Sequence, residues 1–130
     1  KGHIPERDGI WMGLVLFEYM AKSGKSLEEL IEEVYGLVGA FKYWRDDLHI
    51  DEKVKNAIVK KCNKDQFKSF GNYTVQSIDK TDGFKFILSD DEWLMIRPSG
   101  TEPVLRCYAE SKDLKGAKDI LSACKKEIGV

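Results

Sequence analysis

The chain has 130 residues, the length of one ordinary domain or of one small domain with part of another, which excludes a multidomain enzyme for this chain alone. Hydrophobic residues make up 42% and charged residues 33%, so a folded core is expected and a disordered chain is excluded. Twenty-one basic and 22 acidic side chains leave a formal net charge of -1, so any anion site must be local.

Three cysteines without a Cys-x-x-Cys pair predict neither a disulfide framework nor a zinc site and favour a reducing, cytoplasmic setting. The longest apolar run, from Ile10 to Ala21, is shorter than the roughly 20 residues that span a bilayer, so no membrane segment is expected. The first residue is Lys1 and not methionine, which is typical of a piece of a longer polypeptide.

The first predicted element is a helix over residues 8–25, which opens at a capping aspartate, Asp8, and ends near Gly24. Apolar residues point in nearly every direction around it, whereas a surface helix carries one apolar stripe. Such a helix needs neighbours on several sides. We expect them upstream of Lys1 or, as an alternative, in a second copy of the chain.

A second helix is predicted from Ser26 to about residue 39, because S-L-E-E is a capping box and apolar residues then recur at helical spacing. Residues 41–48 alternate loosely and predict a short extended connector. The domain boundary is expected there, with residues 1–44 ending one domain and residues 45–130 forming the next.

A third helix is predicted over about residues 51–62, with Val54, Ala57, Ile58 and Lys61 on its buried face.

The hydrophobic period then changes from 3.6 to 2, which indicates strands joined by tight turns. A last helix is predicted over residues 113–128. The expected fold class is therefore α+β: a four-stranded antiparallel sheet covered on one face by two helices and preceded by two more. The predicted strands are 73–80, 84–88, 92–97 and 104–109.

The turn before the last strand carries the densest set of anion-binding groups, in the sequence R-P-S-G-T-E-P-V-L-R from Arg97 to Arg106. The glycine lets backbone N–H groups converge, the hydroxyls add donors, and the prolines restrict the backbone before a ligand arrives. Two guanidinium groups and two hydroxyls match a phosphate monoester, with an affinity of about millimolar at best. The open alternative is an ordinary turn with solvated arginines. Glu102 favours this alternative, because its carboxylate would repel a phosphate unless it points away from the phosphate or pairs with an arginine.

Two segments carry a family resemblance. R-P-S-G-T-E-P-V-L-R-C-Y-A-E, residues 97–110, resembles the phosphate-binding loop in the C-terminal domain of the α-D-phosphohexomutase superfamily, which includes phosphoglucomutases and phosphomannomutases. K-G-H-I-P-E-R-D-G-I-W, residues 1–11, resembles the segment that follows the sugar-recognition loop in their third domain. The resemblance implies that residues 1–44 end that α/β domain and that residues 45–130 are the complete fourth domain.

The resemblance also implies roles for single residues. Arg7 falls where several members have a lysine that faces the substrate, and a local cap or ion pair is its alternative role. His3 matches a histidine of the same segment, with simple exposure as the alternative. The loop that holds the phosphate not being transferred matches Arg97, Ser99, Gly100, Thr101 and Arg106.

The activity that the resemblance implies is interconversion of hexose 1-phosphate and hexose 6-phosphate through a phosphoserine, with Mg²⁺ assisting. The sugar-reading loop would precede Lys1, so glucose, mannose and N-acetylated hexoses all stay open as substrates. The serine loop and the aspartate-rich magnesium loop belong to upstream domains of the family, and neither pattern occurs in this sequence. We therefore expect no catalytic residue, metal site or cofactor in this chain, inactivity of the chain alone, and cooperation with upstream domains of the same polypeptide.

The alternative function is a non-enzymatic module that binds nucleic acid or protein through an open antiparallel sheet, on which aromatic side chains stack bases. The near-zero net charge and the absence of an R/K-G-F-x-F strand favour core packing of those aromatics, so no nucleic acid is expected as a partner. The aromatic and basic residues concerned are Tyr73, Phe84, Phe86, Trp93, Tyr108, Lys80 and Lys85.

Overall fold

The computed structural model describes residues 7–130 and contains, within that range, four helices and seven strands. The chain divides into two compact units, with the division between Gly39 and Ala40. The two units are described separately below, and the candidate site lies in the second.

The first unit begins with α1, Gly9–Ser23, where the sequence predicts a helix. The side chain of Asp8 caps its start by accepting a hydrogen bond from the backbone N–H of Trp11 at 2.9 Å. Gly24 ends it in the left-handed conformation, with φ of 67°. In the described part of the chain no residue of α1 is buried, and Ile10 is 81% exposed.

The second helix of this unit, α2, spans Leu27–Val38 and starts at the predicted capping box. The Ser26 hydroxyl accepts from the backbone N–H of Glu29 at 3.2 Å, and the Glu29 carboxylate accepts from that of Ser26 at 2.7 Å. These reciprocal bonds satisfy two donors that the first helical turn leaves without partners. The prediction of two leading helices is confirmed.

The second unit is an antiparallel sheet with two helices and a small separate hairpin. The sheet has the strand order β1-β7-β6-β5-β4, and the hairpin pairs β2 with β3. The predicted α+β architecture is confirmed. The elements are, in chain order, β1 Lys42–His49, α3 Glu52–Asn63, β2 Ser69–Phe70, β3 Tyr73–Thr74, β4 Ser77–Asp79, β5 Phe84–Ser89, β6 Glu92–Pro98, β7 Val104–Ser111 and α4 Leu114–Ile128.

Alternate side chains of the central strands form the core of this unit. Phe86 lies opposite Leu94, and Leu94 lies opposite Ala109, and all three are fully buried. Ile58 from α3 and Ile120 from α4 belong to the same buried cluster, so both helices cover one face of the sheet as predicted. The side chains that alternate with these core residues lie on the opposite face of the sheet.

The predicted connector at residues 41–48 is wrong, because β1 is a fifth strand of the sheet. It pairs antiparallel with β7 along its whole length, from Lys42 opposite Ser111 to His49 opposite Val104. Most side chains of β1 are exposed, as an edge strand allows. A strand that buries so little needs no strict alternation of apolar residues, and its pattern is therefore weak.

The predicted strand over residues 73–80 is also wrong in its continuity. Tyr73–Thr74 pairs back onto Ser69–Phe70 around Gly71, which has a φ of 57°. The chain then crosses to the main sheet, where Ser77–Asp79 pairs with β5. Apolar alternation reports which side of a strand is buried, and it does not report which neighbour the strand pairs with.

The buried face of α3 also differs from the prediction. Lys55, Ile58 and Cys62 are its buried residues, whereas Val54 is 40% exposed and Lys61 is exposed. The buried positions follow the i, i+3, i+7 spacing of one helix face. A lysine at the first of them hides the pattern, because lysine is rarely buried unless it is paired.

Candidate functional site

The loop over residues 98–103, called the 98–103 loop below, joins β6 to β7 and is held at both ends by backbone hydrogen bonds. The N–H of Ser99 donates to the carbonyl of Val104 at 2.9 Å. The N–H of Ile50, just after β1, donates to the carbonyl of Pro103 at 3.2 Å. The loop is therefore anchored to the sheet on both sides.

The two arginines that flank the loop sit on one face of the sheet. Arg97 and Arg106 are directly opposite each other in the pairing of β6 with β7, so their side chains project from the same face. Ile96 and Cys107, next to them, point into the core, so the arginines lie on the face opposite the helices. Their side chains are 45% and 30% exposed, respectively, which leaves both accessible to a ligand.

Each arginine is held by a carboxylate from a turn. Arg97 Nε lies 3.2 Å from Asp82 Oδ1, and Arg106 Nη2 lies 3.3 Å from Glu102 Oε2. Glu102 thus pairs with an arginine, which is one of the two arrangements in which its carboxylate is compatible with a phosphate site. Exposed ion pairs of this kind contribute about 0–1 kcal/mol, so a doubly charged anion can exchange for the carboxylates at small cost.

Arg106 carries a donor that the protein itself leaves unused. Its Nε is buried and has no hydrogen-bond partner among the described residues. A buried donor without a partner costs free energy, which an acceptor oxygen would recover. Asp47 lies opposite Arg106 on β1, and its carboxylate is bound by Arg45 Nε at 2.7 Å. That hydrogen bond, together with the charges of Arg45 and Arg106, lowers the pKa of Asp47.

The predicted loop residues differ in accessibility. Ser99 is only 7% exposed and its N–H is already bonded, so its hydroxyl is the group it has to offer. Gly100 and Thr101 are exposed. Gly100 does not have a positive φ, and a Cβ placed on it would meet no described atom within 4 Å. The space beside Gly100 is open, and the hairpin itself does not require a glycine there.

Sequence reasoning missed Lys55, which reaches the loop from α3. Its Nζ donates to the carbonyl of Ser99 at 3.1 Å and to that of Glu102 at 2.9 Å. The signal was present, because Lys55 shares a helix face with Ile58 and Cys62, and a lysine in such a position needs a polar partner inside the fold.

The two N-terminal candidates belong to the first unit. Arg7 precedes α1 in the first unit and has an exposed side chain. His3 lies outside the described residues. Their substrate-facing roles stay predictions.

Gly83, in the predicted turn before β5, packs closely against Ile96 and Arg97. Its φ is 88°, and a Cβ there would lie 3.1 Å from the carbonyl oxygen of Ile96 and 3.2 Å from the Arg97 Cβ. We expect Gly83→Ala to cost about 1–3 kcal/mol of unfolding free energy, because the backbone is strained for alanine and the contacts are too close. Urea denaturation measures this.

Gly100→Ala is the matched control for that substitution. Because φ is permissive and the added methyl group meets open space, we expect it to be neutral or stabilising by about 0.4–1 kcal/mol. Equal stability of the two variants would contradict the described turn.

Two aspartates of the second unit pair with lysines, and the cysteines are buried. Asp46 pairs with Lys125 at 2.5 Å, and Asp91 pairs with Lys112 at 3.1 Å. Among residues 7–130, no group of three or more His, Cys, Asp or Glu side chains is placed to hold a metal ion. The cysteines are free thiols in the core, and burial raises the pKa of Cys62 to about 12, so it is an inert thiol at neutral pH.

The aromatic residues of the base-stacking alternative are mostly unavailable. Phe84 and Phe86 are buried in the core. On the other face, the Lys85 ammonium group lies 4.3 Å from the centre of the Trp93 ring, and the Arg45 guanidinium lies 5.8 Å from that of Tyr108. These cations already contact the rings on which a base would have to stack.

Comparison with known proteins shows the family of this chain. A sequence model for the C-terminal domain of phosphoglucomutase/phosphomannomutase matches residues 46–126, which include both arginines and the whole 98–103 loop. The chain belongs to the phosphoglucomutase/phosphomannomutase family. A second model, for the alpha/beta/alpha domain III of the same family, matches residues 1–38. The resemblance stated from the two motifs is therefore confirmed.

Curated members of the family are similar over most of this chain. A phosphoglucomutase/phosphomannomutase of Thermococcus kodakarensis is 33% identical over 88% of the chain, which corresponds to 23% of the relative. A phosphoglucosamine mutase of Methanococcus aeolicus is 35% identical over 88% of the chain and 23% of the relative. A phosphomannomutase of Salmonella muenchen is 27% identical over 97% of the chain and 27% of the relative. The chain thus spans about a quarter of the length of these family members.

Within residues 7–130, no helix combines the length and the apolar content that crossing a bilayer requires.

Proposed function

We propose that the chain is the C-terminal part of an enzyme that interconverts hexose 1-phosphate and hexose 6-phosphate, and that its 98–103 loop binds the phosphate that is not being transferred. The observation that carries the proposal is the pairing of Arg97 directly opposite Arg106 at the mouth of this loop. Two guanidinium groups that face each other form a local positive site, and the exposed carboxylates that pair with them, Asp82 and Glu102, can be exchanged for a doubly charged anion at small cost. Membership of the family supports a sugar phosphate as that anion.

The loop contributes to the reaction by positioning the substrate. Phosphoryl transfer depends on alignment and electrostatic stabilisation more than on covalent participation of the protein. We call Arg97, Arg106 and the 98–103 loop together the phosphate clamp. A clamp that contacts the phosphate, whichever carbon of the sugar carries it, accepts both isomers, so one active site serves both half-reactions. Arg97 and Arg106 supply forked donors that match phosphate oxygens, and Ser99 and Thr101 add hydroxyl donors.

The partners of this chain in the reaction are the upstream domains of the same polypeptide, which supply the phosphoserine and the Mg²⁺ in this proposal. The chain alone should therefore convert neither isomer. An assay of the 130-residue chain with Mg²⁺ and a hexose bisphosphate activator is expected to show no turnover. Turnover that is lost on Ser99→Ala would contradict this assignment.

A titration of three ligands followed by amide chemical shifts tests the clamp. Glucose 1-phosphate and glucose 6-phosphate should both shift the amides of residues 99–102, with affinities of about millimolar, because each carries one phosphate monoester. Glucose without phosphate is the matched control and should shift none of them. Shifts that follow the sugar ring, or that map away from the loop, would reject the proposal.

A further inference from the structure

Lys55 is a cation buried on the helix side of the 98–103 loop. Its residue exposure is 6%, and it lies on the face of α3 that packs into the core. An ammonium group without partners is too costly to bury, so each of its three protons should have a hydrogen-bond acceptor. The observed contacts meet that requirement.

The Lys55 ammonium group has three donors and three acceptors around it. Ser99 and Glu102 contribute backbone carbonyls at 3.1 and 2.9 Å, and Glu52 contributes a carboxylate oxygen at 2.9 Å. An ammonium group donates three hydrogen bonds and accepts none, so this set completes it. Two of the three bonds hold the loop.

These two bonds fix the direction of one loop amide. In a planar trans peptide the carbonyl and the N–H point in opposite directions. Because the Ser99 carbonyl points toward Lys55 on the helix side, the Gly100 N–H of the same peptide points away from it. The Glu102 carbonyl belongs to a peptide whose nitrogen is that of Pro103, so capturing it costs the loop no donor.

The face of the sheet away from the helices carries the arginines, so a Gly100 N–H that points away from Lys55 can be reached by an anion bound there. Arg97 and Arg106 project from the face opposite α3 and α4. A peptide flipped at this position would turn a carbonyl oxygen, with its negative partial charge, toward the bound anion. Glycine makes such a flip easy, since it populates both signs of φ.

Resting on the proposed function, we propose that Lys55 is a positioning residue for phosphate binding. It draws the Ser99 and Glu102 carbonyls away from the anion and presents the Gly100 N–H to it. Lys55 does not touch the ligand. Its contribution is preorganisation, which raises affinity because the loop need not be ordered when the phosphate arrives.

The test is a titration of the 130-residue chain with inorganic phosphate, followed by amide chemical shifts, in wild type, Lys55→Met and Lys61→Met. Lys61 is an exposed lysine on the same helix, so its substitution matches the change in charge. We expect Lys55→Met to weaken phosphate binding about tenfold and to abolish the downfield shift of the Gly100 amide proton. Lys61→Met should stay within about twofold of wild type.

A conservative variant separates positioning from folding. The Ser99 and Pro103 backbone bonds persist without Lys55, so the hairpin should form in Lys55→Met. Lys55→Arg keeps a buried cation with donors for both carbonyls and should recover affinity to within about threefold of wild type. If Lys55→Met unfolds, the titration of the wild-type chain still tests the inference. Phosphate must then shift the Gly100 amide proton and leave the Lys55 ammonium resonance unchanged.

The outcomes distinguish this inference from the function on which it rests. No phosphate-induced shifts in wild type would overturn the clamp and the inference together. Wild-type binding that Lys55→Met leaves intact would overturn the inference alone. A Lys55 ammonium resonance that moves while the Gly100 amide stays fixed would make Lys55 a direct ligand, which also overturns it.

Discussion

Replacing Arg97 and Arg106 together by alanine is expected to weaken phosphate binding at the 98–103 loop by about 100-fold or more, to below detection. A hydrogen bond to a charged group contributes about 1.5–3 kcal/mol, and the variant removes every guanidinium donor that flanks the loop. The same variant should change the unfolding free energy by less than about 1 kcal/mol. It removes two exposed ion pairs but also two like charges that face each other. Amide-shift titration with glucose 6-phosphate and urea denaturation measure the two effects.

The matched control lowers the net charge equally elsewhere in the same unit. Lys85 lies on the same face of the sheet but contacts Trp93, and Lys112 pairs with Asp91. Lys85→Ala/Lys112→Ala should reduce affinity only by the long-range charge effect, which added salt screens. Equal losses in the two double variants would show that the chain attracts phosphate by its general field and not by a clamp.

Phe86→Ala is expected to give the largest loss of stability, about 3–5 kcal/mol out of a total of about 5–15 kcal/mol for a domain of ordinary stability. Phe86 is fully buried, and its ring centre lies 4.9 Å from that of Phe70 and 6.3 Å from that of Phe67. Truncation leaves a cavity that the sheet and the helices cannot fill without moving. Urea denaturation followed by tryptophan fluorescence measures the loss.

Tyr43→Ala is the control for that prediction, because Tyr43 is an aromatic residue of the same sheet that is 60% exposed on the edge strand β1. It should cost less than about 1 kcal/mol, as surface substitutions do. A loss similar to that of Phe86→Ala would mean that β1 carries far more of the stability than its exposure indicates.

Local signals in the sequence were sufficient for most elements of the fold. Asp8 and Ser26 mark helix starts because their side chains satisfy donors within three residues along the chain. The central residues of strands β5, β6 and β7 alternate between buried and more exposed side chains, so their period survives in the sequence. β1 was missed because an edge strand is held by backbone pairing with β7, which leaves little trace in side-chain polarity.

The residues of the candidate site also fall into two groups, those that local sequence predicts and those that it does not. Arg97 and Arg106 could be chosen from sequence because they flank the loop of a hairpin, in which residues 97 and 106 face each other. The contacts of Asp82 and Lys55 with the site could not be predicted, since Asp82 comes from a different turn and Lys55, although its place on a buried helix face is readable, lies 44 residues before Ser99. No local pattern links residues at such separations.

The amino-acid sequence alone therefore determined the α+β class and the family, and it predicted an anion-binding loop, because each of these is expressed in residues that lie near each other in the chain. Only the tertiary structure decided which carboxylates hold the arginines and that a buried lysine donates to two carbonyls of the loop. The physical reason is burial. The free energy of placing the Lys55 charge depends on the groups that surround it, and those are assembled only when α3 packs against the sheet.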